Sequence, residues 1–174
     1  MPISPVRSDA PPMRDTALRS PAMHIDVSAA HESERGVVRR LMEFCLYDWS
    51  ELEGWDVDEH GEFGYRWLDH YWTDENRHAF LIRIEEKLAG FALVRQEQRT
   101  EMAEFFILRR YRRSGVGTAS AVELFHRFPG RWLVTQHRTN PAATAFWRTA
   151  IPVRYAETST DDLVLQTFEI EAEH

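Results

Sequence analysis

The run Phe105-Phe-Ile-Leu-Arg-Arg-Tyr-Arg-Arg-Ser-Gly-Val-Gly-Thr118 holds the residues best suited to chemistry. An apolar strand pattern runs into a turn with arginines and two glycines, and a helical pattern starts at once. Small residues let a backbone come close to a ligand, and the unpaired amides of a helix's first turn point outward. Gly115 and Gly117 therefore mark an anion site suited to a pyrophosphate, and Arg112 and Arg113 can add charge-assisted hydrogen bonds. The same residues also fit a plain strand-to-helix turn whose glycines serve packing. Two phosphate loops are excluded. The dinucleotide fingerprint lacks its third glycine, and no Gly-Lys-Ser/Thr follows.

A second group of residues is acidic. Residues 48–62 carry Asp48, Glu51, Glu53, Asp56, Asp58, Glu59 and Glu62, with no Lys or Arg among them. Such a stretch either attracts a cation or is a solvated loop that keeps the chain in solution. A calcium loop starting at Asp56 fails, because its fifth position is His60 and its twelfth is Trp67 instead of a bidentate glutamate. His31-Glu32 begins like a zincin, but Arg35 stands where the second histidine belongs. His60, His70, His78 and His137 lack ligand spacing and read as structural, so no metal is expected. Cys45 falls on an apolar helical face and reads as a buried, inert thiol. The aromatics Tyr65, Trp67, Tyr71 and Trp72 suit core packing, a roof over a pocket, or a homodimer contact.

The frame that positions these residues follows from the whole chain. Its 174 residues suit one ordinary domain. Hydrophobic residues at 43% and charged residues at 28% give a globular balance. Twenty-one Lys and Arg against 28 Asp and Glu leave a net charge of −7. That excess argues against general binding of nucleic acid or anionic membrane, whose affinity comes from neutralised phosphates. Cys45 is the only cysteine, which excludes an intramolecular disulfide and fits a reducing, cytoplasmic setting. No apolar run approaches the ~20 residues that cross a bilayer. Residues 1–22 hold five of the eight prolines and read as a mobile leader before a single domain over 23–174.

Periodicity predicts a strand at 24–27, a helix over 29–47 and a short aromatic helix over 65–71. Strands at 79–84 and 88–95 form a hairpin, and 102–108 is a strongly apolar strand. A helix over 115–128, a strand at 132–136, a helix over 141–149 with proline in its first turn, and a strand at 163–170 complete the pattern. Hairpins mixed with helical crossovers predict an α/β fold with a mixed sheet.

Arg112-x-x-Gly115-x-Gly117 after an apolar strand resembles the acetyl-CoA signature of the GNAT superfamily of N-acetyltransferases. The order of elements agrees with that family over about residues 23–170. Asn140-Pro-Ala-Ala-Thr-Ala-Phe-Trp147 resembles the family's Asn-x-x-Ala-x-x-Phe-Tyr stretch, where the helix lies beside the pantetheine arm. The Ala-Glu-Phe-Phe strand and the Phe-Pro-Gly-Arg-Trp turn look most like those of a bacterial branch. The resemblance implies a largely antiparallel twisted sheet flanked by helices and splayed between its fourth and fifth strands. It also implies direct transfer of an acetyl group from acetyl-CoA to a primary amine of a small cationic molecule or a lysine side chain.

The same resemblance implies roles. Amides of Arg113, Ser114, Gly115, Val116, Gly117 and Thr118, with Arg112 beside them, would bind the pyrophosphate. Asn140, Ala143, Phe146 and Trp147 would lie along the pantetheine. A main-chain N–H at Ile107 or Leu108 would meet the charge that develops on the thioester oxygen. A carboxylate is the natural acceptor of the amine's proton, with Glu104 the first candidate and Glu101 the second. In a regular strand Glu101 shares a face with Ala103, Phe105 and Ile107 while Glu104 points away. A bulge reverses that argument, and either residue also suits a solvated edge.

Trp147 stands where many relatives carry a tyrosine that protonates the leaving thiolate, and an indole N–H is no useful acid. Either the thiolate leaves unaided, or Tyr155 or Tyr111 is a substitute acid, or the chain is a silent acyl-CoA sensor. A third reading makes the arginine turn an interaction module for anions or nucleic acid. In the family the region between the first two helices often lines the acceptor mouth. That implies Tyr47, Asp48, Trp49 and Glu51, with Asp56 and Asp58, as acceptor-binding residues, where carboxylates and aromatic faces hold an ammonium.

Overall fold

The computed structural model describes residues 23–172; residues 1–22, set apart by the sequence as a leader, lie outside them. Seven strands form one sheet: β1 (Ile25–Ala29), β2 (Arg77–Ile84), β3 (Lys87–Gln96), β4 (Thr100–Ile107), β5 (Gly130–His137), β6 (Ala156–Ser159) and β7 (Leu163–Ile170). Their order is β1-β2-β3-β4-β5-β7-β6. Every neighbouring pair is antiparallel except β4 and β5, which are parallel. The helices are α1 (Arg35–Glu53), α2 (His70–Thr73), α3 (Val116–Arg127) and α4 (Pro141–Ala150). The α/β class and the mixed, mostly antiparallel sheet agree with the sequence pattern.

The central strands are apolar at nearly every position because both faces of the sheet are covered. On one face Val38, Leu41, Met42, Cys45 and Leu46 of α1 pack with Leu68 and Tyr71 onto Leu81, Phe91, Leu93 and Phe106. On the other, Val116, Ala121, Leu124 and Phe125 of α3 and Trp147 of α4 pack onto Ile82, Val94, Ile107, Trp132, Val134 and Phe168. The side chains of Phe80 to Ile82 therefore alternate between two cores.

Three elements differ from the periodicity. α1 starts at Arg35, after a 3-10 turn over Glu32–Glu34, and ends at Gly54 in the left-handed conformation with φ of 69°. Its last buried residue is Leu46, so the apolar pattern fades before the helix does. The aromatic segment is turn over 66–69 and helix only at α2. β6 was not foreseen, since all four of its residues are exposed and carry no alternation.

β4 and β5 pair only from Thr100 to Met102 against Trp132 to Val134. Beyond Met102 the two strands part, which opens the middle of the sheet. No helix among the described residues is long and apolar enough to cross a membrane.

Candidate active site

The parted strands border a cavity of about 910 Å³ that reaches from the α1 face to the edge of α4. Trp49 and Glu53 of α1, Trp55, Tyr65 and Trp67 of the following loop, and Gln136, Ala143 and Trp147 on the far side all line it. Glu101 and Glu104 line it from β4.

A bulge brings the two glutamates to one face of β4. Leu93 is opposite Glu104, but the next residue, Val94, is opposite Met102, so Ala103 is the extra residue. Met102, Phe105 and Ile107 contribute to the α3/α4 core, whereas Ala103 and Phe106 contribute to the α1 core. Glu104 shares the face of its partner Leu93 and so joins Ala103 on the α1 side. Both carboxylates therefore reach the cavity, but in different states. Glu101 is bound by Arg95 and Arg99. Burial pushes it up, yet the hydrogen bonds from Arg95 and Arg99 outweigh this and hold it below the usual carboxylate range. Glu104 has no arginine partner. Burial pushes its carboxyl up to about 7, against a smaller opposing effect of the neighbouring Tyr65 hydroxyl.

The glycine turn leaves the start of α3 without a side-chain cap. Gly115 caps α3 with φ of 85° and no side chain caps the helix, so the first-turn amides are left for a ligand. Arg113 also has a positive φ, 60°. Ser114 Oγ donates to the Tyr111 carbonyl at 2.6 Å. Gly117 has a packing reason as well: a Cβ there would lie 3.1 Å from the Phe146 ring. That close approach joins the start of α3 to α4. Phe146 stacks on Phe105 with centroids 5.7 Å apart, and Trp147 meets Phe105 edge-on at 5.1 Å. Asn140 caps α4 by accepting from the Ala143 N–H at 3.0 Å.

Several residues sit differently from expectation. The Leu108 N–H donates to the Ala89 carbonyl at 2.8 Å, which removes it as a donor to a ligand. Alternation along the ladder then turns the N–H groups of Phe105 and Ile107 toward the gap left by β5. The Arg112 guanidinium is spent on the Ile107 carbonyl at 2.7 Å and on Asp48 at 2.6 Å. Asp48 is thus tied to the arginine turn, and Arg109 binds it as well. Tyr47, Asp48, Glu51 and Asp58 do not line the cavity; of that expected set Trp49 and Asp56 do.

The acidic stretch is largely consumed by structure. Asp58 accepts from the backbone of His60 and Glu62 at 2.8 and 3.0 Å. Glu53 and Asp56 are the members that line the cavity, and Glu53 also accepts from Thr139 at 2.8 Å. His137, read from sequence as structural, lines the cavity too and meets Trp49 edge-on at 5.3 Å. Trp49 in turn stacks with Trp55 at 6.5 Å. Trp55, Gln136 and His137 were missed as site residues because no spacing rule links a loop tryptophan to the end of a strand some 80 residues on. Among the described residues no group of three or more His, Cys, Asp or Glu could hold a metal ion.

Relatives share this architecture. An acetyltransferase from Thermus thermophilus superposes with a TM-score of 0.65 at 18% identity, over 84% of this chain and 97% of that one. The PaiA N-acetyltransferase from Thermoplasma acidophilum, in complex with coenzyme A, gives 0.61 at 12% identity, over 84% and 99%. A ribosomal-protein-alanine N-acetyltransferase from Escherichia coli gives 0.58 at 14% identity, over 87% and 97%. Among curated proteins none matches the chain in sequence. Likeness at such identities is one of fold, but the model of the acetyltransferase (GNAT) family matches residues 37–150 in sequence. Those residues run from α1 through the bulged strand and the glycine turn to the end of α4, and on that match the chain belongs to the GNAT family of acetyltransferases, which use acetyl-CoA as cosubstrate.

Proposed function

We propose that this protein transfers an acetyl group directly from acetyl-CoA to the primary amine of a cationic acceptor that enters between α1 and the 54–67 loop. The observation that carries the reading is Glu104, which alternation along β4 turns into the cavity at the parting of β4 and β5 and which titrates near neutrality. A base works best when its pKa lies close to the working pH.

Acetyl-CoA fits the residues present. The first-turn amides of α3 suit its pyrophosphate, and the gap beside Phe105, Ala143 and Trp147 suits its arm. When bound it supplies an acyl carbon activated as a thioester. Glu104 takes a proton from the incoming ammonium, directly or through water. The N–H of Phe105 or Ile107 faces the gap and holds the charge that develops on the thioester oxygen. The C–N bond forms as the C–S bond breaks, the nitrogen gives its second proton to solvent, and the thiolate takes a proton from solvent. With Trp147 in the tyrosine position it leaves unaided, as a thiol with a pKa of about 8.5 can.

The acceptor reading rests on Glu53, Asp56 and the Trp49–Trp55 pair around the mouth. Two carboxylates beside aromatic faces favour a polyamine, an aminosugar or a lysine side chain. A silent acyl-CoA sensor is the second reading, and Trp147 is what favours it. Melting with and without saturating acetyl-CoA, in the natural chain and in Gly115→Asp, tests the cosubstrate site. A hundredfold excess over Kd stabilises by about 2.7 kcal/mol, roughly 5–11 °C for a chain of this size. Acetylation of an amine panel then separates enzyme from sensor: product supports transfer, and binding without product on any amine supports the sensor.

A further inference from the structure

Gln136 and Gln166 are the two glutamines buried in the sheet, 3% and 0% exposed. They form the inner end of a polar chain that begins at the surface. Arg148 of α4 pairs with Glu157 of β6. Gln166 Nε2 donates to Glu157 Oε2 at 2.9 Å, and Gln136 Nε2 donates to Gln166 Oε1 at 3.3 Å. The two amides have no freedom to flip. Hydrogen bonds from Arg148 and Gln166 keep the Glu157 carboxyl well below its ordinary range, so it is ionised and only accepts. Gln166 must therefore donate outward and accept inward, and Gln136 must donate outward in turn. What is left over is Gln136 Oε1, which is buried and has no partner among the described residues. A buried carbonyl without a partner is costly.

Gln136 is also the one member of this chain that lines the cavity. A ligand anchored at the start of α3 and reacting beside Glu104 must pass along α4, because Gly117 meets Phe146, Phe146 stacks on Phe105, and Phe105, Ala143, Trp147 and Gln136 border the same gap. The arm of an acyl-CoA carries amide N–H groups between its phosphates and its thioester.

We propose that the Gln136 carbonyl oxygen is a fixed acceptor for an amide N–H of the acyl-CoA arm, held in that orientation by Gln166, Glu157 and Arg148. The inference rests on the acetyl-CoA reading above. Gln136 is a binding and positioning residue, and its effect is on affinity for the arm.

Titration of coenzyme A, without acceptor, into the natural chain and Gln136→Met tests it. The variant is expected to bind about three- to tenfold more weakly, the worth of one hydrogen bond. Coenzyme A analogues with either amide replaced by an ester, oxygen for N–H, give the decisive comparison. One ester should lose a similar factor in the natural chain and nothing further in Gln136→Met. Equal penalties for the esters in both proteins would overturn the proposal, as would a lower melting temperature with unchanged coenzyme A affinity. An unchanged affinity with a raised acceptor KM would assign the N–H to the acceptor and also overturn it. If Gln136→Met does not fold, Glu157→Gln replaces it: that change lets Gln166 and Gln136 turn, and the ester penalty should shrink. A natural chain that binds no coenzyme A at millimolar concentration would overturn both this inference and the reading beneath it.

Discussion

Asp48 on α1 and Arg112 in the turn after β4 meet at 2.6 Å, and the same guanidinium donates to the Ile107 carbonyl at 2.7 Å. Arg112 thereby fastens the end of β4, at the point where it has left β5, to the helix that walls the cavity. Arg109 holds the other carboxylate oxygen at 2.6 Å. Arg109 and Arg112 thus have a framing role.

Asp48→Asn should lower stability at neutral pH by roughly 1 kcal/mol, the scale of a partly exposed ion pair. Burial raises the Asp48 carboxyl, but the bonds from Arg112 and Arg109 win and hold it below the ordinary range. A lowered folded-state pKa gives stability that is present above the unfolded value of about 3.9 and lost as pH falls through the folded value. Melting curves of the two proteins should differ at pH 7 and converge toward pH 3.

Trp147 is buried against Phe105, Phe125 and Phe146. Trp147→Phe should cost about 1–3 kcal/mol through the space it leaves. If the thiolate departs unaided, kcat should stay within a few-fold. Urea melts and steady-state rates measure the two effects separately, and a loss of a hundredfold or more in kcat would give the indole a part in the chemistry.

Gly90 lies opposite Ile107, and a Cβ there would lie 2.1 Å from the Phe106 carbonyl oxygen. Gly90→Ala should destabilise by more than about 3 kcal/mol or prevent folding, since backbone has to move. Gly117→Ala should cost less, because its nearest contact, 3.1 Å, is a ring that can shift by tenths of an ångström. Soluble yield and urea midpoints would rank them; the reverse order would contradict the close packing of β3 on β4.

At the mouth, Asp56→Asn and Trp55→Ala should each raise KM for a cationic amine about three- to tenfold and leave kcat nearly unchanged, as loss of ground-state attraction does. The effect of Asp56→Asn should shrink in high salt. Equal KM values in natural chain and variants would remove the cationic acceptor.

The strand–turn–helix around Gly115 and Gly117 was legible because apolar runs, two glycines and a helical period lie in one short segment. Helices α3 and α4 and the central strands were legible for the same reason. The bulge was not. Glu101 and Glu104 both stood out as carboxylates, but that they share one face and both reach the cavity depends on Ala103 being set out of register, and an alanine carries no bulge signal. The division of the acidic stretch was not legible for a related reason. Residues 48–62 read as one acidic loop, whereas Asp48 and Glu51 lie on α1 and Asp48 is drawn to arginines 61 and 64 residues away. Gln136 was silent, since its meaning comes from a hydrogen-bond chain across three strands and a helix.

The central claim is that Glu104 is the base in acetyl transfer, and the pH dependence of kcat/KM with acetyl-CoA and a diamine tests it most directly. The carboxyl must be ionised to accept a proton, so the rate of the natural chain should rise with pH through an acid limb near 7. Glu104→Gln should fall by about 10²–10⁴ and lose that limb, while Glu101→Gln should keep it. A Glu104→Gln protein that retains the limb, or works within a few-fold of the natural rate, would contradict the account.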